Sequence, residues 1–205
     1  MKNLDELKNL KVGEEIKLPS PLTKGRISLE ETILKRRSVR SFKNRPLTLE
    51  QISQLLWAAQ GITSLQEGLR SAPSAGATYP LEVYLVSREG IFHYLPEKHA
   101  LQKVIAENRM RLLAEACLGQ DWIEETGVNI VLGAIFERTT GRYRQRGVGY
   151  VYIEVGHAAE NIHLQAVALE LGSVPVGAFD DDAVAKVLEL PAKVKPLYVV
   201  PVGYP

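Results

Sequence analysis

From about Tyr150 to Leu171 no proline interrupts the chain, and Val151, Val155, Ala158, Ile162, Ala166 and Leu169 recur at helical spacing beside Gln165. Tyr152 and Ala159 widen the same face. A helix of that length spans roughly 33 Å, the diameter of a small domain. Being apolar over most of its circumference, it must be covered on several sides. The fold therefore has to place it centrally or press it against another subunit. A chain of 205 residues with 45% hydrophobic side chains can supply that cover within one large domain.

Residues 1–27 read as a lead-in, with Pro19 and Pro21 marking extended backbone, and residues 28–205 as the domain. Ser28 followed by Glu31 predicts a capped helix from Leu29 into the basic residues after Leu34. Thr48 with Gln51 repeats the signature, and Ile52, Leu55, Leu56 and Ala59 give a helix stopped by Gly61. Gly61 to Pro80 lacks periodicity and is predicted to be a loop without regular structure. Leu81–Ser87 and Ile91–Leu95 form a predicted hairpin around Glu89-Gly90. Helical pieces are expected at about 98–107 and 109–119, with a short third one at Trp122. Val128 to Phe136 is a nearly continuous apolar run, as in a buried strand. Gly141–Gly147 reads as a solvated basic turn. After the long helix and Gly172 come a strand-like exit over Val174–Phe179, a helix capped by Asp180, and a last strand over Pro196–Val202.

Three places carry chemistry. Arg36, Arg37 and Arg40 fall within five residues with Ser38 among them, and a guanidinium offers phosphate or carboxylate a planar, permanently charged fork. If the backbone is extended there, Arg36, Ser38 and Arg40 share one side. The small, proline-punctuated Arg70–Pro80 segment lets backbone approach a flat ligand closely. Gly177 offers the same in the strand exit. Formal net charge is only +1, so no global field draws nucleic acid or a membrane surface and any anion site is local. One cysteine, Cys117, excludes an internal disulfide framework. With no apolar leader or membrane-length run, the expected location is cytoplasmic. The histidines form no metal-spaced cluster and are read as structural, and no nucleotide-loop, nucleophile-elbow or zinc-protease motif occurs. An anion site, a close-approach loop and no acid–base machinery point to a cofactor that carries the chemistry.

Five blocks in order resemble the nitroreductase family of flavin enzymes, in the branch of the SagB-type azoline dehydrogenases. They are Arg36–Phe42, Pro73–Tyr84, Gly156–Asn161 with Leu164–Ala166, Val174–Asp180, and Pro201–Pro205. The resemblance implies an α+β fold with a mostly antiparallel central sheet flanked by helices, built as an intertwined homodimer with FMN at the subunit interface. It implies that Arg36, Arg37, Ser38 and Arg40 grip the FMN phosphate and ribityl chain. Pro73, Ser74, Ala75 and Gly76 would reach the flavin from the partner subunit, and Pro175, Val176, Gly177 and Ala178 would lie along its ring. The activity implied is transfer of hydride from NAD(P)H through the flavin to an electron-poor acceptor such as a quinone or nitroaromatic.

Two departures bear on this. Family members continue past the last strand with a lysine or arginine for the phosphate, whereas this sequence ends at Pro205. The arginine block is then expected to neutralise the phosphate alone, with Arg70 as a candidate helper, and to hold FMN more loosely. The azoline dehydrogenases carry a Lys-Tyr pair ahead of the long helix, where this chain has Arg142-Tyr143. Arginine cannot deprotonate to act as a base. Arg142 and Tyr143 are accordingly expected to line the substrate cavity, with azoline oxidation and a non-enzymatic flavin-binding or regulatory role as alternatives.

Overall fold

The computed structural model describes residues 5–205; residues 1–4 of the predicted lead-in lie outside the described residues. The chain begins α1 (Asp5–Asn9), β1 (Glu15–Lys17), α2 (Leu29–Lys35) and α3 (Leu49–Gln60), then a small hairpin, β2 (Ile62–Ser64) with β3 (Leu69–Arg70). Next come β4 (Leu81–Ser87), β5 (Gly90–Leu95), β6 (Ala100–Ile105), α4 (Met110–Ala116) and α5 (Trp122–Glu125). β7 (Val128–Ala134), α6 (Glu137–Tyr143), α7 (Arg146–Ala168), β8 (Gly172–Ser173), α8 (Asp181–Val187) and β9 (Lys195–Gly203) complete it.

Seven strands form one sheet in the order β1-β6-β5-β4-β7-β9-β8, and every pairing is antiparallel. Strand alternation sends Val83 and Leu85 to one face and Tyr84 and Val86 to the other. The first face packs with α3 and α7 through Leu55, Leu56, Ala158 and Ile162; the second packs with α4, α5 and α8 through Leu113, Ile123 and Val184. β7 lies inside the sheet between β4 and β9, with all seven residues buried, which is why its sequence is one apolar run. The architecture is thus α+β, an antiparallel sheet between helical layers, as expected. No helix among the described residues is long and apolar enough to cross a membrane.

Capping chemistry sets the helix starts. Thr48 accepts from the Gln51 amide while the Gln51 side chain accepts from the Thr48 amide, a complete capping box. At α2 only half of that pair forms, the Ser28 hydroxyl accepting from Glu31 N.

Four expectations need correction. The stretch expected as helix at 98–107 holds β6, an inner strand paired with β1 and β5. Its alternation is disguised by Lys103, a buried lysine whose ammonium donates to the carbonyls of Leu7 and Lys8 and lies over the Phe92 ring. The Gly61–Pro80 loop contains the β2–β3 hairpin and a 3₁₀ turn at Ala75–Ala77. The basic turn at Gly141–Gly147 is mostly helix, the end of α6 and the start of α7. The long helix begins at Arg146 and ends at Ala168, displaced towards the N-terminus from the Tyr150–Leu171 span. The lead-in contributes β1 to the sheet edge and buries Leu7, Ile16 and Leu18 in the core.

Candidate functional site

The arginine block leaves α2 and is stitched to the end of the sheet. Val39 N donates to Ser173 O at 3.0 Å, and Ser38 bridges Ser173 in parallel register. The backbone is extended there, so side chains alternate. Arg36 turns inward to His163, its Nη1 3.0 Å from the imidazole Nε2. Arg37 folds back onto the Leu34 and Arg36 carbonyls and shares a separate cleft with Val39 and Glu170. Ser38 and Arg40 are exposed. Arg70, Arg109, Arg111 and Arg138 each pair with a glutamate. By contrast Arg36, Arg37 and Arg40 form no ion pair among the described residues. Charge left uncompensated at three neighbouring guanidiniums favours an anion.

Beyond Ser173 the chain runs directly into the strand exit. Val176 exchanges backbone hydrogen bonds with Val199, at 2.7 and 3.0 Å. Pro175 is half-buried, and Gly177 and Ala178 are exposed, with Gln120 holding the Ala178 carbonyl. The amides of Gly177 and Ala178 have no acceptor among the described residues. From Ser173 to Gly177 the extended chain covers about 13 Å. One edge of the subunit therefore carries free positive charge at one end and free backbone donors at the other. That arrangement fits a long ligand with an anionic tail and a flat polar ring.

The Pro73–Gly76 loop is built elsewhere. Pro73 and Gly76 are exposed, Ser74 and Ala75 half-buried. Its seat is α6: Arg142 donates to the Gly76 carbonyl at 3.2 Å, Thr78 and Thr139 share a 2.8 Å hydrogen bond, and Arg138 donates to the Tyr79 carbonyl. Ser74 Oγ accepts from Tyr79 N. Gly76, Ala77 and Tyr79 all adopt positive φ, at 60°, 53° and 44°, a concentration of strain that marks functional backbone. Arg142 and Tyr143 are thus brought against the loop, Arg142 as its brace. Arg70, the candidate phosphate helper, belongs to this cluster too. Its guanidinium is tied to Gln60 and Glu97 and lies over Tyr79.

Within one subunit the two halves meet α7 at different places. Glu154 of α7 lies near Ser74, and His163 of α7 bonds Arg36. Nine residues along α7 separate those contacts by roughly 14 Å and about two and a half turns, so they lie on opposite sides of the helix.

The sequence reading passed over Glu154 and Ser173 and took His163, like the other histidines, as structural. Burial pushes Glu154 up to about 7, opposed in part by the neighbouring Ser74 side chain, the charge of Arg70 and the neighbouring Gln60 side chain. Burial and then the charge of Arg36 push His163 down to about 4. The available signal was a polar side chain set among the apolar positions of one helix; its partners come from distant segments.

Residues 33–204 match the Nitroreductase family. The chain is 43% identical over 183 residues to a nitroreductase-type protein of Methanocaldococcus jannaschii, covering 86% of this chain and 91% of that one. It is 30% identical over 169 residues to the microcin B17-processing protein McbC of Escherichia coli, covering 77% and 62%. To an NADPH-dependent FMN reductase of Bacillus subtilis it is 27% identical over 189 residues, covering 85% and 65%. The fold superposes on a nitroreductase-type crystal structure from Ralstonia eutropha with a TM-score of 0.85 at 28% identity, covering 95% and 91%. By sequence and by fold, the chain belongs to the nitroreductase family, and with it to the flavin-dependent oxidoreductases.

Proposed function

We propose that the protein is an FMN-dependent oxidoreductase that takes electrons from NAD(P)H and delivers them to an electron-poor acceptor such as a quinone or a nitroaromatic. The observation that carries this reading is the edge that has uncompensated Arg36 and Arg40 at one end and, among the described residues, the free amides of Gly177 and Ala178 at the other. FMN, when bound, supplies the hydride chemistry. Arg36, Ser38 and Arg40 would hold its phosphate, with Arg37 beside them, and the Pro175–Ala178 backbone would orient its ring. Pro73, Ser74, Ala75 and Gly76, clamped to α6, would close the pocket and exclude water.

Because the two halves meet opposite sides of α7, the closing loop would come from a second copy of the chain. The homodimer therefore belongs to the proposal. Leu29, Ile33 and Leu34 of α2 and Tyr152 and Ile153 of α7 are large and exposed. A groove of about 810 Å³ runs between α3 and α7, lined by Leu22, Trp57, Ala58, Leu164 and Leu169. These surfaces suit an intertwined partner.

The likeness to McbC favours a second reading, dehydrogenation of a peptide-derived azoline ring. Arg142 argues against it: a guanidinium cannot accept a ring proton, and this one is spent on the Gly76 carbonyl.

Spectroscopy and steady-state kinetics test the proposal. The flavin-loaded chain should be bleached by NADH or NADPH and reoxidised by menadione with ping-pong kinetics. Arg36→Ala and Arg40→Ala should each weaken FMN binding by about 1.5–3 kcal/mol, the loss of a charge-assisted hydrogen bond. Tight FMN binding without NAD(P)H turnover would leave a flavin-binding or regulatory protein. Unchanged FMN affinity in both variants would move the anion site elsewhere.

A further inference from the structure

His163 is 2% exposed, yet both ring nitrogens are engaged. Nε2 lies 3.0 Å from Arg36 Nη1, and Nδ1 lies 2.5 Å from Ser173 Oγ. A guanidinium can only donate, so Nε2 accepts and the ring proton sits on Nδ1, directed at the Ser173 hydroxyl oxygen. The hydrogen-bond network thereby assigns a single tautomer. The depressed pKa, about 4, keeps the ring uncharged at working pH.

That neutrality has a consequence for Arg36. A carboxylate partner would orient the guanidinium but cancel its charge. An aliphatic partner would preserve the charge and leave the fork without a fixed direction. A neutral imidazole does both jobs at once, orienting Nη1 while leaving the positive charge for a ligand. Ser173 ties the arrangement to the sheet, since its carbonyl accepts from Val39 N and it bridges Ser38. One residue thus fixes the backbone of the arginine block and, through His163, the aim of its first side chain.

We propose that His163 is the positioning residue of the anion grip, an uncharged stay that aims Arg36 at the phosphate end of the flavin, with Ser173 setting its tautomer. The inference rests on the reading of Arg36–Arg40 as the FMN phosphate site. Glutamine at 163 can still present a carbonyl oxygen to Arg36, and leucine cannot.

Flavin-fluorescence titrations of the flavin-free full chain with FMN and with riboflavin, which lacks the phosphate, separate positioning from general damage. His163→Leu should raise the Kd for FMN about tenfold, as expected for a disturbed charge-assisted contact, and leave the Kd for riboflavin unchanged. His163→Gln should restore most of the FMN affinity. In an Arg36→Ala background His163→Leu should cost nothing further, because the group it aims is gone. Should His163→Leu fail to fold, Ser173→Ala carries the test, with a loss of about threefold for FMN alone as the ring is freed to change tautomer. Equal losses for FMN and riboflavin, or additive losses in the double variant, overturn the inference. If Arg36→Ala weakens FMN but neither His163 nor Ser173 variants do, the aiming role falls and the phosphate site stands. If Arg36→Ala binds FMN like the parent, the phosphate site itself falls.

Discussion

Glu154 is 2% exposed, and its Oε1 has no hydrogen-bond partner among the described residues. Burial is the main reason its carboxyl is pushed up to about 7; the neighbouring Ser74 side chain, the charge of Arg70 and the neighbouring Gln60 side chain oppose the shift only in part. An acid whose folded pKa is raised binds its proton more tightly folded than unfolded between about pH 4.5 and 7, so its contribution to stability falls across that window as pH rises. Glu154→Gln should match the parent near pH 5 and exceed it at pH 8 by on the order of 3 kcal/mol at most, read by urea unfolding at both values. An equal pH slope in parent and variant would mean that Glu154 ionises without penalty. His163 acts in the opposite sense: its lowered pKa gives stability that is present above about pH 6.5 and lost as pH falls towards 4. The comparison must therefore be variant against parent, not the bare profile. At this scale the arginine block was legible because charge and spacing are local properties. His163 and Glu154 were not, since a side chain's pKa and partners depend on segments distant in sequence.

The Pro73–Gly76 loop shows what holds at the scale of an element. A Cβ at Gly76 would stand 2.5 Å from the Tyr143 hydroxyl and 2.7 Å from Arg142 Nη1, and the backbone there has φ of +60°. Gly76→Ala should therefore destabilise the fold by about 1 kcal/mol or more and lift the loop off α6, weakening flavin binding as well. A melting temperature and FMN affinity both equal to the parent's would show that the loop tolerates displacement. Helices α3 and α7 were readable because a capping box and a 3.6-residue period are written into contiguous sequence. β6 was misread because a short apolar run fits helix or strand alike, and its buried Lys103 is satisfied by carbonyls of α1, far away in sequence. α6 was misread because its polar sequence takes its purpose from the loop it clamps.

For the whole molecule, the test is assembly. With Tyr152 and Ile153 exposed on α7 and the half-sites on opposite sides of that helix, the proposed dimer should persist at micromolar concentration in sedimentation velocity. Ile153→Asp should release monomers and lose flavin with them, because each pocket is then open to water. A stable, flavin-loaded monomer would exclude the shared site. In the sequence, the resemblance to a known family implied the antiparallel α+β plan, while hydrophobic period and capping, which act over a few neighbouring residues, located the buried strand β7 and the long apolar helix. The sequence also located the arginine block and the close-approach loop, whose composition is their signal. Only the tertiary structure decided that Arg36 is held by a neutral His163, that Arg37 turns away, that Arg142 braces Gly76, and that block and loop of one chain meet α7 at different places. Those outcomes depend on how α7 is rotated between the sheet, α2 and α6, a choice made by packing the whole core at once.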